Sequence, residues 1–335
     1  MVCRGLRIAY SKPIGSILLP DLSKVHPHWM TSVPRIFDKI ISIIPLIILT
    51  PFKAFGSVLV FKKIRAKLGG RFKAGISGGG ALAGYIDSFF QAAGILLIEG
   101  YGLTETGPIL AARNFHNPVK GTVGNLLDDI EYRVIDKNGA ALPHGKKGVL
   151  HVKSPQVMKG YYKEPEKTAA ILKDGWLNTG DIVISTVTDE CKILGREKDT
   201  IVLTGGENIE PVPIEYRIVE SSYIDQVMVV GQDQKFLGAL IVPNYEALES
   251  YAEKSGMPFV YGVTLCDNPA IQELINEEIQ ELISFDHGFK GLERIFRFHL
   301  LKKPFEVGIE MTAKLSIKRH VIEKIYKKEI PALFR

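Results

Sequence analysis

Between Ile64 and Gly100 apolar runs alternate with glycine turns: Phe72-Lys-Ala-Gly-Ile-Ser-Gly-Gly-Gly, a helical pattern through Tyr85-Ile-Asp-Ser-Phe-Phe-Gln, then the short run Ile95-Leu-Leu-Ile-Glu. A pattern that passes from strand spacing to helix spacing and back specifies a strand, helix, strand unit, and hence an α/β fold. From Gly121 to Asp189, β-like runs such as Glu131-Tyr-Arg-Val-Ile and Gly148-Val-Leu-His-Val-Lys are separated by the turn signals Lys137-Asn-Gly and Pro143-His-Gly. That spacing predicts a small β-sheet or barrel. After Gly195-Arg-Glu-Lys-Asp the pattern is mixed again. Strands are predicted near Ile201-Val-Leu and Gln226-Val-Met-Val-Val, and helices near Pro213–Ser221, Ile271–Ser284 and His320–Lys328. A smaller α+β domain is therefore expected from Arg196, dividing the chain into 1–195 and 196–335.

The chain's 335 residues, 46% apolar and 24% charged, can bury one full core and by length a second, the profile of a globular protein. Lys and Arg number 42 against 37 Asp and Glu, a formal charge of +5 that mildly favours anionic ligands and falls far short of a nucleic-acid binder. Cys3, Cys191 and Cys266 are widely separated and form no CxxC pair. Neither a disulfide framework nor a zinc site is suggested, and a reducing, cytoplasmic compartment is expected. The opening Met1-Val-Cys-Arg-Gly-Leu-Arg-Ile-Ala-Tyr has no apolar stretch of signal-peptide length, so secretion is not expected. Ile40–Phe61 is almost uncharged, but Pro45, Pro51 and Lys53 interrupt it. A buried or surface-lying segment, with peripheral contact at the inner membrane face, fits it better than a span.

Four elements carry candidate chemistry. Glu99-Gly-Tyr-Gly-Leu-Thr-Glu-Thr-Gly is a strand end followed by a glycine-rich turn. There Tyr101 can stack on a purine, Thr104 can bond a phosphate and Glu105 can hold magnesium through oxygen; the alternative is an ordinary polar turn. Upstream, the missing side chains of Ser77-Gly-Gly-Gly-Ala-Leu let a flat ligand approach the backbone. Downstream, Trp176-Leu-Asn-Thr-Gly-Asp ends in Asp181, a carboxylate suited to two ribose hydroxyls. Finally, Arg196 in Gly195-Arg-Glu-Lys-Asp-Thr-Ile-Val-Leu-Thr-Gly-Gly-Glu-Asn-Ile-Glu-Pro offers a planar cation for ribose or phosphate. The four in this order are more specific than any one.

In that order the elements resemble those of the adenylate-forming superfamily of acyl-CoA synthetases. Val33-Pro-Arg-Ile-Phe-Asp-Lys-Ile, Val60-Phe-Lys-Lys-Ile-Arg-Ala-Lys-Leu-Gly-Gly and Gly288-Phe-Lys-Gly-Leu-Glu-Arg-Ile are similar to its long-chain fatty acyl branch. The resemblance implies the C-terminal part of the large domain, with sheet layers and a small barrel, followed by a mobile α+β domain. It implies a reaction in which a fatty acid attacks the α-phosphate of ATP and the CoA thiol then displaces AMP, with Mg2+ neutralising charge. Gly79, Gly80, Ala81 and Tyr101 would enclose adenine, Thr104 contact phosphate, Glu105 ligate magnesium, and Asp181 and Arg196 take the ribose. Lys198 occupies the hinge position, and the loop Thr204-Gly-Gly-Glu-Asn-Ile, with Gly206, would line the pantetheine tunnel.

Two departures from the family pattern stand out. No Ser/Thr/Gly-rich run ending in Pro-Lys is present, and Gly145-Lys-Lys-Gly, between two β-like runs, reads as a hairpin turn. On this reading the sequence starts partway through the large domain. A degraded gene, an incomplete gene model and a split gene whose partner polypeptide carries the N-terminal half all remain open, as does an inactive nucleotide- or acyl-binding remnant. Second, where the long-chain branch has a Thr-Pro-Thr-Leu-Lys-like run, Met311-Thr-Ala-Lys-Leu-Ser-Ile-Lys-Arg puts Ser316 at the lysine position. Lys318, the catalytic candidate, or Lys314 would have to reach the same place; a solvated basic patch is the alternative.

Overall fold

A computed structural model describes residues 7–12, 15–42, 55–257, 265–312 and 316–335. Most of the Ile40–Phe61 segment and Lys314 lie outside the described residues. No helix among the described residues is long and apolar enough to cross a membrane.

The expected strand, helix, strand unit is present. Strands β1 (Trp29–Ser32), β2 (Ala74–Gly78), β3 (Leu96–Tyr101), β4 (Ala111–Ala112) and β5 (Asn125–Leu126) form one sheet in that order. β1, β2 and β3 are parallel, and β4 and β5 continue antiparallel. Helix Gly84–Ala92 makes the crossover between β2 and β3, as parallel neighbours require. It packs with helix Pro34–Ser42, where the buried rings of Phe37 and Phe90 meet edge to face at 5.7 Å. A Cβ on Gly75 would lie 2.6 Å from Phe37 Cε1, so only glycine lets that ring rest on the strand.

The small sheet expected between Gly121 and Asp189 appears and runs on to Arg196. β6 (Glu131–Ile135), β7 (Lys147–Lys153), β9 (Trp176–Ser185) and β10 (Cys191–Arg196) lie in the order β10-β9-β7-β6, with β8 (Leu172–Lys173) beside β9. Farther on, β11 (Ile201–Val202) and β12 (Asn208–Ile209) form a hairpin. β13 (Ile224–Val230), β14 (Leu237–Pro243) and β15 (Ile295–Leu300) form a sheet with β14 central.

Strands β13 and β14 of that sheet are buried on both faces, and their alternation shows how. Val227, Val229, Ala239 and Ile241 join Ile214, Ile218, Ile271, Ile275 and Ile279 from helices Pro211–Ile218 and Pro269–Leu282. The intervening Met228, Val230, Leu240 and Val242 join Ile322 and Leu333 near the C-terminus. Period-2 side chains feed two cores, so the strands read as continuous apolar runs. Asn268 caps the longer helix by accepting from Ala270 N at 2.9 Å.

By packing, the chain divides into two units that interleave in sequence. One comprises Met1–Tyr132, Val152–Leu177 and Ser185–Lys192; the other Arg133–His151, Asn178–Ile184 and Ile193–Arg335. The division passes through the strands of the small sheet.

Phe90→Ala removes a fully buried ring from the first core. Urea denaturation is expected to show a loss of about 3–5 kcal/mol, the usual cost of a large aromatic truncation.

Candidate functional site

In the first unit, the register of the parallel strands pairs Ser77 with Glu99 and Gly78 with Gly100. The glycine loop after β2 and the turn after β3 therefore leave the same end of the sheet, where ligand crevices form in such folds. Gly79 has φ +79°, a left-handed backbone that favours glycine. Gly79 and Gly80 are exposed and Ala81 and Tyr101 are half-buried, so loop backbone and tyrosine are both open to a ligand.

The turn folds back tightly on itself. Leu110 N donates to Tyr101 O at 2.7 Å, and a Cβ on Gly102 would lie 2.1 Å from the Pro108 carbonyl oxygen. The two threonines differ in role: Thr106 is fully buried and its hydroxyl accepts from Leu103 N at 3.1 Å, whereas Thr104 is exposed. Glu105 is held at both ends. Its carbonyl accepts from Met158 N at 2.8 Å and its Oε1 accepts from Tyr161 Oη at 2.7 Å. The carboxylate raises the Tyr161 phenol above the usual tyrosine range, chiefly through that bond. A magnesium ion on Glu105 would find one oxygen already shared with the phenol. Among the described residues no group of three or more His, Cys, Asp or Glu is gathered around a metal position.

Beneath these loops lies an ionic cluster that sequence reasoning missed. Arg113 is 2% exposed; its Nη1 donates to Asp87 Oδ2 and its Nη2 to Glu99 Oε2, both at 2.9 Å. Nε and Nη2 also donate to Thr122 O at 3.1 and 3.0 Å. The other oxygen of Glu99, Oε1, accepts from Leu82 N at 3.0 Å, at the end of the glycine loop. Burial pushes Glu99 up to about 7, against the opposing pull of the Leu82 bond and the Arg113 charge; Asp87 adds a smaller upward push. The available sequence signal was an acid closing the apolar run Ile95-Leu-Leu-Ile.

In the second unit, Asp181 and Arg196 are brought together. Arg196 Nε lies 2.7 Å from Asp181 Oδ1, with the carboxylate buried and the guanidinium about half exposed. Thr179 fixes the approach: its hydroxyl donates to Leu150 O at 2.7 Å and accepts from Asp181 N at 3.1 Å. The neighbouring Asp189 is a turn residue of the first unit, at φ +61° and accepting the Tyr132 hydroxyl.

The remaining candidates are also placed. Lys198 is exposed in a short 3-10 turn, Glu197–Asp199. Gly206, at φ +87°, is exposed in the turn joining β11 and β12, where its N donates to Leu203 O at 2.8 Å. Lys318 Nζ donates to Gly308 O at 2.8 Å, and its neighbour Arg319 pairs with Glu215 and donates to Val229 O at 3.0 Å. Ser316 donates from its N to Thr312 Oγ1 at 3.1 Å. The Gly145-Lys-Lys-Gly stretch is the turn into β7, with Lys147 Nζ 3.0 Å from Glu210 Oε1.

Residues 1–162 match a family model described as AMP-binding enzyme, and residues 198–335 one described as AMP-binding enzyme C-terminal domain. The chain is 36% identical over 301 residues to a chloroplastic long-chain-fatty-acid–[acyl-carrier-protein] ligase of Arabidopsis thaliana, covering 86% of this chain and 39% of that protein. It is 30% identical over 366 residues to long-chain-fatty-acid–CoA ligase 1 of Cavia porcellus, covering 100% of this chain and 52% of that protein. Among solved structures, the adenylation domain of a carboxylate reductase from Mycobacterium chelonae shares the fold at a TM-score of 0.76 and 24% identity, over 95% of this chain and 48% of that one. The chain spans about half the length of these relatives or less.

Arg113→Ala would leave Glu99 and Asp87 buried without their common partner. Removing one member of a buried ionic cluster costs about 3–5 kcal/mol. Urea denaturation at neutral pH is expected to show that loss, and a change below about 1 kcal/mol would mean the cluster is solvated.

Proposed function

The chain belongs to the AMP-binding enzyme family, and on that basis we propose that it carries the nucleotide-handling part of a long-chain fatty acid–CoA ligase. The observation that carries this reading is the shared sheet end from which the glycine loop and the Tyr101–Glu105 turn both leave. Gly79, Gly80 and Ala81 offer backbone to one face of adenine and Tyr101 offers a ring. Thr104, exposed, reaches for phosphate, and Asp181 takes the ribose hydroxyls with Arg196 beside it.

Adenylate formation joins two anions, a carboxylate and the α-phosphate of ATP, so the developing charge must be neutralised. Magnesium held by Glu105 would supply part of that neutralisation. Lys318 would supply a cation once it leaves Gly308 O. A boundary between 195 and 196, with Lys198 at the hinge, would let the C-terminal domain serve adenylation first and thioester formation second. The Gly206 loop then lines the path of the CoA arm. CoA is the proposed acceptor; the Arabidopsis relative's name raises an acyl carrier protein as the alternative. The compartment that fits three dispersed cysteines is the cytoplasm.

A second reading is favoured by one sequence observation: Ser316 stands where the resemblance to the long-chain branch leads one to expect a lysine. On that reading the chain binds nucleotide or acyl ligand and depends on a partner polypeptide for turnover.

Calorimetry with AMP tests the nucleotide assignment. Loss of charge-assisted hydrogen bonds worth about 1.5–3 kcal/mol predicts that Asp181→Ala weakens AMP at least about tenfold. Asp189→Ala, in a turn bonded to Tyr132, is expected to change affinity little. Equal losses at both positions would remove the ribose assignment.

A further inference from the structure

Glu99 lies outside the residues that the ligase reading assigns to substrate, yet it is bonded to the residue that follows one half of the proposed purine site and shares a strand with the other. It sits in β3, two residues before Tyr101, and its Oε1 accepts from Leu82 N, next in sequence to Ala81. The exposed Gly79 and Gly80 have no side chains with which to hold their own loop. We infer that Glu99 is a positioning residue whose ionised carboxylate, braced by Arg113, clamps the Gly79–Leu82 loop to the strand that delivers Tyr101 and Glu105. The inference rests on the nucleotide reading of those two loops.

The chemistry of the donors makes the clamp specific to the charged form. Leu82 N and Arg113 Nη2 can only donate, and an ionised carboxylate can accept from both. A protonated carboxyl, or the amide of glutamine, presents a donor to one of them and so forfeits a contact. Arg113 cannot swing away to compensate, because Thr122 O and Asp87 hold its other nitrogens. The charged groups facing Glu99 are Arg113 from beyond β4 and Asp87 from helix Gly84–Ala92; Ser77, in register on β2, is uncharged.

Because burial pushes Glu99 up to about 7, the clamp opens and closes near neutrality. Two signs follow, and they oppose each other. Loop order and purine affinity are present above that value and lost as pH falls through it. The contribution of Glu99 to folding stability is fully present below the unfolded carboxylate value of 4.5 and lost as pH rises through about 7, since a buried charge is costly. A buried acid with only a structural role would show the second dependence and not the first.

The test uses the full chain labelled with 15N, and adenosine, which has no phosphate to titrate. In the ligand-free protein the Leu82 amide is expected to titrate with one midpoint near 7. Glu99→Gln should abolish that titration. Asp87→Asn, which relieves repulsion, should move the midpoint down and serves as the second variant if the first folds poorly. Adenosine affinity in the native chain should fall about tenfold as pH drops through the midpoint, and Glu99→Gln should bind at the weaker level throughout. A Leu82 amide that does not follow Glu99, or a Glu99→Gln chain with native affinity and pH profile, overturns the clamp. A titrating Leu82 amide without adenosine binding at any pH upholds the clamp and removes the nucleotide reading instead.

Discussion

Arg113, buried between Glu99 and Asp87, is the constraint on which the ligand-facing end of the first sheet depends. Its two carboxylate partners come from β3 and from the crossover helix, and its bonds to Thr122 O draw in the chain leading toward β5. A guanidinium with five fixed donors can join that many elements in one plane, which lysine cannot. The loops above it are short of side chains and gain their geometry from below. Burying the charges is costly, and the upward push on Glu99 is the visible sign of that cost.

The second unit follows a different principle. Its strands β13 and β14 are apolar on both faces and feed two cores, whereas β15 joins one of them through Ile295 and Leu300. Polar anchoring is confined to a few places. Arg319 ties the residues that follow Ser316 to Glu215 and to the backbone of β13. Lys318 is thereby fixed by its neighbour, and its amine is engaged by Gly308 O. A lysine so placed can act elsewhere only after an exchange of hydrogen bonds.

The fold was legible in the sequence wherever periodicity carried it. The strand, helix, strand unit, the small sheet and the helices near Ile271 and His320 all lie close to their expected places. That the glycine loop and the Tyr101–Glu105 turn leave one sheet end was expected from the family resemblance, not from periodicity, and the register of β2 and β3 puts them there. The cluster beneath was not legible, since no spacing rule shows that Glu99, Asp87 and Arg113 converge from three elements. Nor does a Thr-Glu-Thr string reveal that Thr106 turns inward to close the loop while Thr104 faces outward. Such distinctions depend on side-chain direction at a turn, which sequence periodicity does not encode.

A crystal structure of the chain with AMP tests the central claim most directly. The account predicts adenine against the backbone of Gly79–Ala81 with the Tyr101 ring beside it. AMP seated instead among Arg297, His299 and Lys328, which line a groove along β15, would contradict it, as would a first-sheet end left empty at saturating nucleotide.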